Sequence, residues 1–157
     1  MKQIFRSLIF VCLSAVSAQA ADITGPVRVV DGNTLDVGGQ VVRLYGIQAP
    51  HLEQTCRTRK GQEQQCGRIS SMGLTEMVRG PEARCEDKGL DTEGRRHALC
   101  FIGWLNLSEE MVASGYALAD PVTGADFQRA ETFAQARKEG LWRTEFTKPW
   151  EWQGQGQ

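Results

Sequence analysis

The chain has 157 residues, 41% hydrophobic and 24% charged, with 18 Lys and Arg against 19 Asp and Glu. A formal charge of −1 excludes the broad cationic attraction that drives non-specific nucleic-acid binding, so any phosphate recognition has to come from a local site. The length suits one domain around one core.

Lys2 and Arg6 supply a positive start, Leu8 to Val16 an apolar run, and Ala18-Gln19-Ala20 the small-x-small pattern after which signal peptidase cuts. The expected organisation is a signal peptide over residues 1–20, a folded domain over 21–152 and a disordered tail over 153–157. The apolar run is too short to cross a bilayer about 30 Å thick as a helix, so no membrane insertion is expected after cleavage. Cys12 follows Val11 rather than a small residue and does not read as a lipoprotein acceptor. Cleavage removes two cations and no acid, leaving 16 against 19, a charge of −3. The expected destination is the periplasm or the exterior.

Four cysteines then remain, Cys56, Cys66, Cys85 and Cys100. An even count in an exported chain reads as two disulfides, with three possible pairings. Cys85 and Cys100 lie symmetrically about Asp91-Thr92-Glu93-Gly94, a turn-like stretch between strand-like segments. Folding there as a hairpin sets them directly opposite. Cys56 and Cys66 are left to pair across a short polar loop. The competing reading is a zinc site shared with His51, but the spacing is not C-x2-C and the compartment is oxidising.

In chain order, Val27 to Val30, Thr34 to Val37 and Val41 to Tyr45 read as three short strands, separated by Asp31-Gly32-Asn33 and Gly38-Gly39 turns. Gln48 to Gly67 is polar and reads as a loop. Ile69, Met72, Leu74, Met77 and Val78 recur at helical spacing until Gly80-Pro81. The Cys85–Cys100 hairpin follows. Asn106 reads as an N-cap with Glu109 as capping-box partner, Leu107, Met111 and Val112 as the buried face and Gly115 as the end. A last helix spans about Asp126 to Lys138, with Phe127, Ala130, Phe133 and Ala134 on one face and Gly140 at the stop. Five strands with a helix after the third, then two more helices, fit an α+β fold built on an OB-type five-stranded barrel.

Three ordered motifs resemble those of the thermonuclease, or staphylococcal nuclease-like, family. Val29-Val30-Asp31-Gly32-Asn33-Thr34-Leu35 is similar to V-x-D-G-D-T. Arg43-Leu44-Tyr45-Gly46-Ile47-Gln48-Ala49-Pro50-His51 is similar to R-L-x-G-I-D-A-P-E, and Gly94-Arg95-Arg96-His97-Ala98 to G-R-x-x-A. Asn106-Leu107, Met111-Val112, Gly115-Tyr116-Ala117 and Gly140-Leu141-Trp142 extend the likeness through the helical half.

The resemblance implies a calcium ion on two motif aspartates, a glutamate that helps activate water, and two arginines that stabilise a phosphorane-like transition state. Calcium prefers charged oxygens, and guanidinium forks match phosphodiester oxygens. By position, Arg43 and Arg95 are the phosphate-binding pair, and Asp31 is an outer carboxylate or turn former. Asn33 and Gln48 stand at the metal aspartates, His51 at the glutamate, and Glu93 where the family often has an aromatic residue. Three negative charges are thereby lost, and calcium affinity is tuned by such charge over decades.

The expectation is therefore a pseudonuclease with a degenerate calcium site and an arginine-lined pocket for a phosphate-containing ligand or nucleic acid. Its protein partner is not specified by the sequence. One alternative is an active phosphodiesterase using His51 or a substitute metal, with His97 on the strand face of Arg95. The other is a structural partner-binding domain. Arg57, Arg59 and Lys60 read as a solvated loop, Trp142, Trp150 and Trp152 as packing residues, and Trp104 as core rim.

Overall fold

A computed structural model describes residues 22–154. The expected signal peptide and residues 155–157 lie outside them.

The first strand, β1 (Ile23–Asp31), is longer than its β-branched stretch suggests. Its second half pairs antiparallel with β2 (Thr34–Val37), while Ile23 to Pro26 pair with a strand much later in the chain. Between them the Asp31 carboxylate accepts from the Asn33 amide at 2.7 Å, closing a turn on which Asn33 sits. Gly38 and Gly39, both at positive φ, turn β2 into β3 (Gln40–Leu44).

A short β4 (Ile47–Gln48) follows. The segment expected as loop is more ordered than its polarity suggests. It holds the β5 (Cys56–Thr58) and β6 (Glu63–Gln64) hairpin, tied by a Cys56–Cys66 disulfide. Gln54 within it is fully buried and donates to the Thr147 carbonyl at 2.6 Å. Helix α1 (Cys66–Met77) starts three residues before the apolar periodicity does, because the disulfide carries its first turn into the core. Gly67 is required there, since the His51 carbonyl occupies the place a Cβ would take.

β7 (Glu82–Leu90) and β8 (Arg96–Ile102) form the expected hairpin, with Cys85 and Cys100 in register and bonded. β3 runs parallel to β8 through Arg43↔His97 and Leu44↔Ala98. Together with the β1–β7 pairing this closes β1, β2, β3, β8 and β7 into a five-stranded barrel. Leu35, Val37, Val42, Leu44, Cys85, Ala98 and Cys100 fill it and are fully buried. The alternation of these residues along each strand is what turns one face inward.

β9 (Leu105–Asn106) leads into α2 (Leu107–Ala113), where the Asn106 side chain accepts from the amides of Ser108 and Glu109. The reciprocal bond from Glu109 is not formed. β10 (Leu118–Ala119) pairs with β4, and a short 3-10 turn over Ala125–Phe127 enters α3 (Gln128–Arg137). Lys138 takes the left-handed position at its end, two residues before Gly140. A 3-10 turn over Gly140–Arg143, β11 (Thr144–Glu145) against β5, and a last 3-10 turn over Pro149–Glu151 complete the described chain.

Three expectations are corrected. Trp104 is fully exposed rather than at the core rim, because the β8–β9 turn carries it outward. Phe133 is 53% exposed, since α3 buries Ala134 on its packed side and turns Phe133 away. Met72 likewise lies on the outer face of α1.

Candidate functional site

Each predicted site residue reaches the same place by a different route. Asn33 comes from the β1–β2 turn, Arg43 from β3, Gln48 from β4, His51 from the segment after Pro50, and Arg95 from the turn before β8. All five line one cleft of about 530 Å³ at the barrel mouth. Gly46, at φ 77°, makes the bend between β3 and β4, and the Phe127 ring lies where a side chain there would project.

Arg43 is the hub. With the Asn33 amide turned to satisfy both its atoms, Asn33 Oδ1 accepts from Arg43 Nη2 at 2.6 Å and Nδ2 donates to the Ile47 carbonyl at 3.3 Å. Gln48 Oε1 accepts from the same Nη2 at 3.4 Å, and Gln48 Nε2 donates to Asp120 Oδ2 at 2.8 Å. Burial pushes the Asp120 carboxyl up. The bonds from Gln48, Thr123 and Val122 outweigh it and hold the group below the usual carboxylate range. Burial, and then the neighbouring Arg95 charge, lower the Arg43 guanidinium from its usual value, yet it stays a cation at any physiological pH. Its Nε is buried and has no hydrogen-bond partner.

Arg95 is held differently. Its Nε donates to Asp91 at 2.7 Å and its Nη2 reaches Glu93 at 2.8 Å. Desolvation raises the Asp91 carboxyl, but the backbone and side-chain bonds from Arg95 prevail and bring it down to about 2. His97 stands 3.5 Å from the same carboxylate. Burial depresses its pKa, Asp91 works against that, and Arg43 and Arg95 reinforce it. Arg95 and His97 thus both lie against Asp91, although Arg95 sits in the turn before β8 rather than on the strand that carries His97.

These shifts fix a pH dependence. Asp91 is acidified by folding, so its contribution is present above 3.8 and lost as pH falls toward 2. His97 takes its proton more readily when unfolded, so stability also declines as pH drops below 6.5. Asp91→Asn is expected to lower the melting temperature at pH 6 and flatten its fall between pH 4 and 2. A pH series of calorimetric melts measures both, and an unchanged acid slope would refute the assignment.

His51 is exposed at the cleft wall, where its ring stacks on Trp152 at 5.1 Å and 21°. Its Nδ1 accepts from the Glu53 amide at 3.5 Å. Pro149, Trp150, Gln153 and Gly154 continue that wall. Trp150 is therefore 42% exposed rather than packed away.

The donor set does not fit calcium. Both amide oxygens at the metal positions accept from a guanidinium, and Asp31 is committed to the turn beside Asn33. Among the described residues no three His, Cys, Asp or Glu side chains gather to hold a metal. What the arrangement can do is receive an anion between Arg43 and Arg95, which needs no proton transfer or metal.

The sequence reading missed Asp91, Asp120 and Trp152. Asp120 had a local signal, since Asp-Pro-Val-Thr is a turn whose Asp accepts from the Val122 and Thr123 amides. Trp152 had none, because only folding brings the C-terminal segment back to His51.

The residue pattern of the staphylococcal nuclease homologue family matches residues 41–144. The chain belongs to this family. Strands β1 and β2 precede the matched span but are two of the five barrel staves. A curated relative is the succinoglycan biosynthesis protein ExoI of Rhizobium meliloti (strain 1021). It is 29% identical over 129 residues, covering 80% of this chain and 68% of the relative.

The Glu93–Arg95 pair gives a prediction specific to this member. Both side chains are well exposed, so breaking the pair costs little stability, about 0–1 kcal/mol. Glu93 nevertheless neutralises the guanidinium that an anion would use. Glu93→Ala is expected to strengthen anion binding roughly 3–10-fold at low salt. Calorimetric titration reads this, and weaker binding would show that Glu93 supports the site.

Proposed function

We propose that this chain is an exported nuclease-fold protein whose cleft binds a phosphate-containing anion without calcium-dependent hydrolysis, serving as a binding or accessory module of the cell envelope. The observation that carries this reading is the Arg43 network. The side chains at the metal positions are amides that orient a half-buried guanidinium, whose Nε–H is buried without an acceptor. A buried donor left in this state costs about 1–3 kcal/mol, so the guanidinium is held without its full set of partners.

Export is supported by the two disulfides, which persist in oxidising compartments. No helix of the described residues is long and apolar enough to cross a membrane. The relative named for succinoglycan biosynthesis supports an accessory role over bulk nucleic-acid degradation. The domain is taken to span residues 21–152.

A second reading, metal-free cleavage with His51 as base, draws on the presence of His51 in the same cleft as both arginines. Its stacking on Trp152 and its engaged Nδ1 weigh against it.

The test has two arms. A nucleoside bisphosphate is titrated calorimetrically in EDTA and in calcium, with equal affinity expected. Plasmid DNA and RNA are then incubated with the protein in calcium, zinc or EDTA, with no cleavage expected. Absence of binding in both buffers favours a purely structural domain. Cleavage lost in Arg43→Ala overturns the inactive reading.

A further inference from the structure

A larger groove, about 1280 Å³, shares no residue with the cleft described above. Pockets for small ligands run from about 300 to 1,000 Å³, so this one suits an extended chain. One rim is the β5–β6 turn, which carries Arg59 and Lys60. The other is the end of α3 and the following 3-10 turn, which carry Arg137, Lys138 and Arg143. Against these five cations stand two lining carboxylates, Glu110 and Glu139. In a chain of overall charge −1 this is a strong local concentration.

Neither rim is casual. The β5–β6 turn is closed by the Thr58 amide bonding to the Gln62 carbonyl and the Gly61 amide to the Thr58 carbonyl, each at 2.8 Å. Its strands are anchored by the Cys56–Cys66 disulfide and by β11. At the far rim, where free carbonyls at the end of α3 would repel an anion, two of its last carbonyls and that of Lys138 are occupied. Gln135 and Ala134 accept from the Lys138 and Glu139 amides, and the Lys138 carbonyl accepts from Arg143 Nε. Glu139 pairs with both Arg137 and Arg143, whereas Arg59, Lys60 and Lys138 have no ion-pair partner among the described residues. Among the neutral polar lining residues the groove also presents apolar surface, from Ile69, Ala113, Tyr116 and the half-exposed Phe133.

We propose that this groove binds an acidic polypeptide segment of a partner protein, with apolar side chains against its Ile69, Tyr116 and Phe133 surface and carboxylates at its cations. A nucleic acid fits less well. Of the three guanidiniums in the lining, Arg137 and Arg143 are already held by Glu139, which leaves Arg59 alone with a free fork for a phosphate. A peptide needs point charges and some apolar surface beside them, and the lining offers both.

The probe is a fluorescein-labelled peptide of about 12 residues repeating Glu-Leu-Asp-Phe, followed by fluorescence polarisation with the full folded protein. Saturable, salt-sensitive binding is expected. Arg59→Glu combined with Lys60→Glu should weaken it roughly tenfold or more, and Phe133→Ser severalfold. Both variants change exposed side chains and should keep the melting temperature and the bisphosphate binding of the cleft. A repeating Lys-Leu-Lys-Phe peptide should not bind. No saturable binding, equal binding by the variants, or tighter binding of a single-stranded oligonucleotide than of the peptide would each overturn the proposal.

Discussion

Replacing Arg43 with alanine is expected to weaken binding of a nucleoside bisphosphate by roughly 30–150-fold, the equivalent of about 2–3 kcal/mol for a charge-assisted contact made away from water. No other side chain can substitute. Arg95 already spends its Nε on Asp91 and an Nη on Glu93, whereas Arg43 is paired only with neutral amides. Arg43→Lys should recover only part of the loss, since an ammonium cannot reproduce the fork. The alanine variant should also be less stable by about 1–3 kcal/mol, because the buried Asn33 oxygen loses its donor. Calorimetric titration reads the first effect and denaturant unfolding the second. A change in affinity below about threefold would place the anion elsewhere.

The second large effect concerns the barrel. Converting Cys85 and Cys100 together to alanine should cost about 3 kcal/mol from the 15-residue loop they close. A further cost comes from packing, because both residues are fully buried on facing strands. A fall in melting temperature of about 10–15 °C follows for a domain of this size. The same change at Cys56 and Cys66 removes a shorter loop at the barrel's flank and should cost less. Thermal melts of the two double variants rank them. A smaller loss at Cys85 and Cys100 than at Cys56 and Cys66 would mean that barrel closure does not depend on this bridge.

The barrel was legible because its signals are local. The Asp31-Gly32-Asn33 and Gly38-Gly39 turns, the alternation through Leu35, Val37, Val42 and Leu44, and the Asn106 cap each act within a few residues. The pairing of Cys85 with Cys100 was legible for the same reason, since a hairpin maps sequence symmetry onto space. Polar residues between Gln48 and Gly67 concealed order, because what stabilises them is remote: β11, a disulfide and the Thr147 carbonyl.

By itself the sequence determined the staves of the barrel, the bridges between them and which five side chains crowd its mouth. The staves and bridges follow from periodicity and turn chemistry, and the five side chains from the motifs that resemble the family's. Only the tertiary structure decided what these side chains do to one another. It placed Asp120 against Gln48, Asp91 beneath Arg95 and His97, Trp152 over His51, and the β5–β6 turn across a groove from α3. Hydrogen bonds and charge pairs act over about 3 Å, and the chain brings such partners together from as far apart as the 93 residues between Gln54 and Thr147.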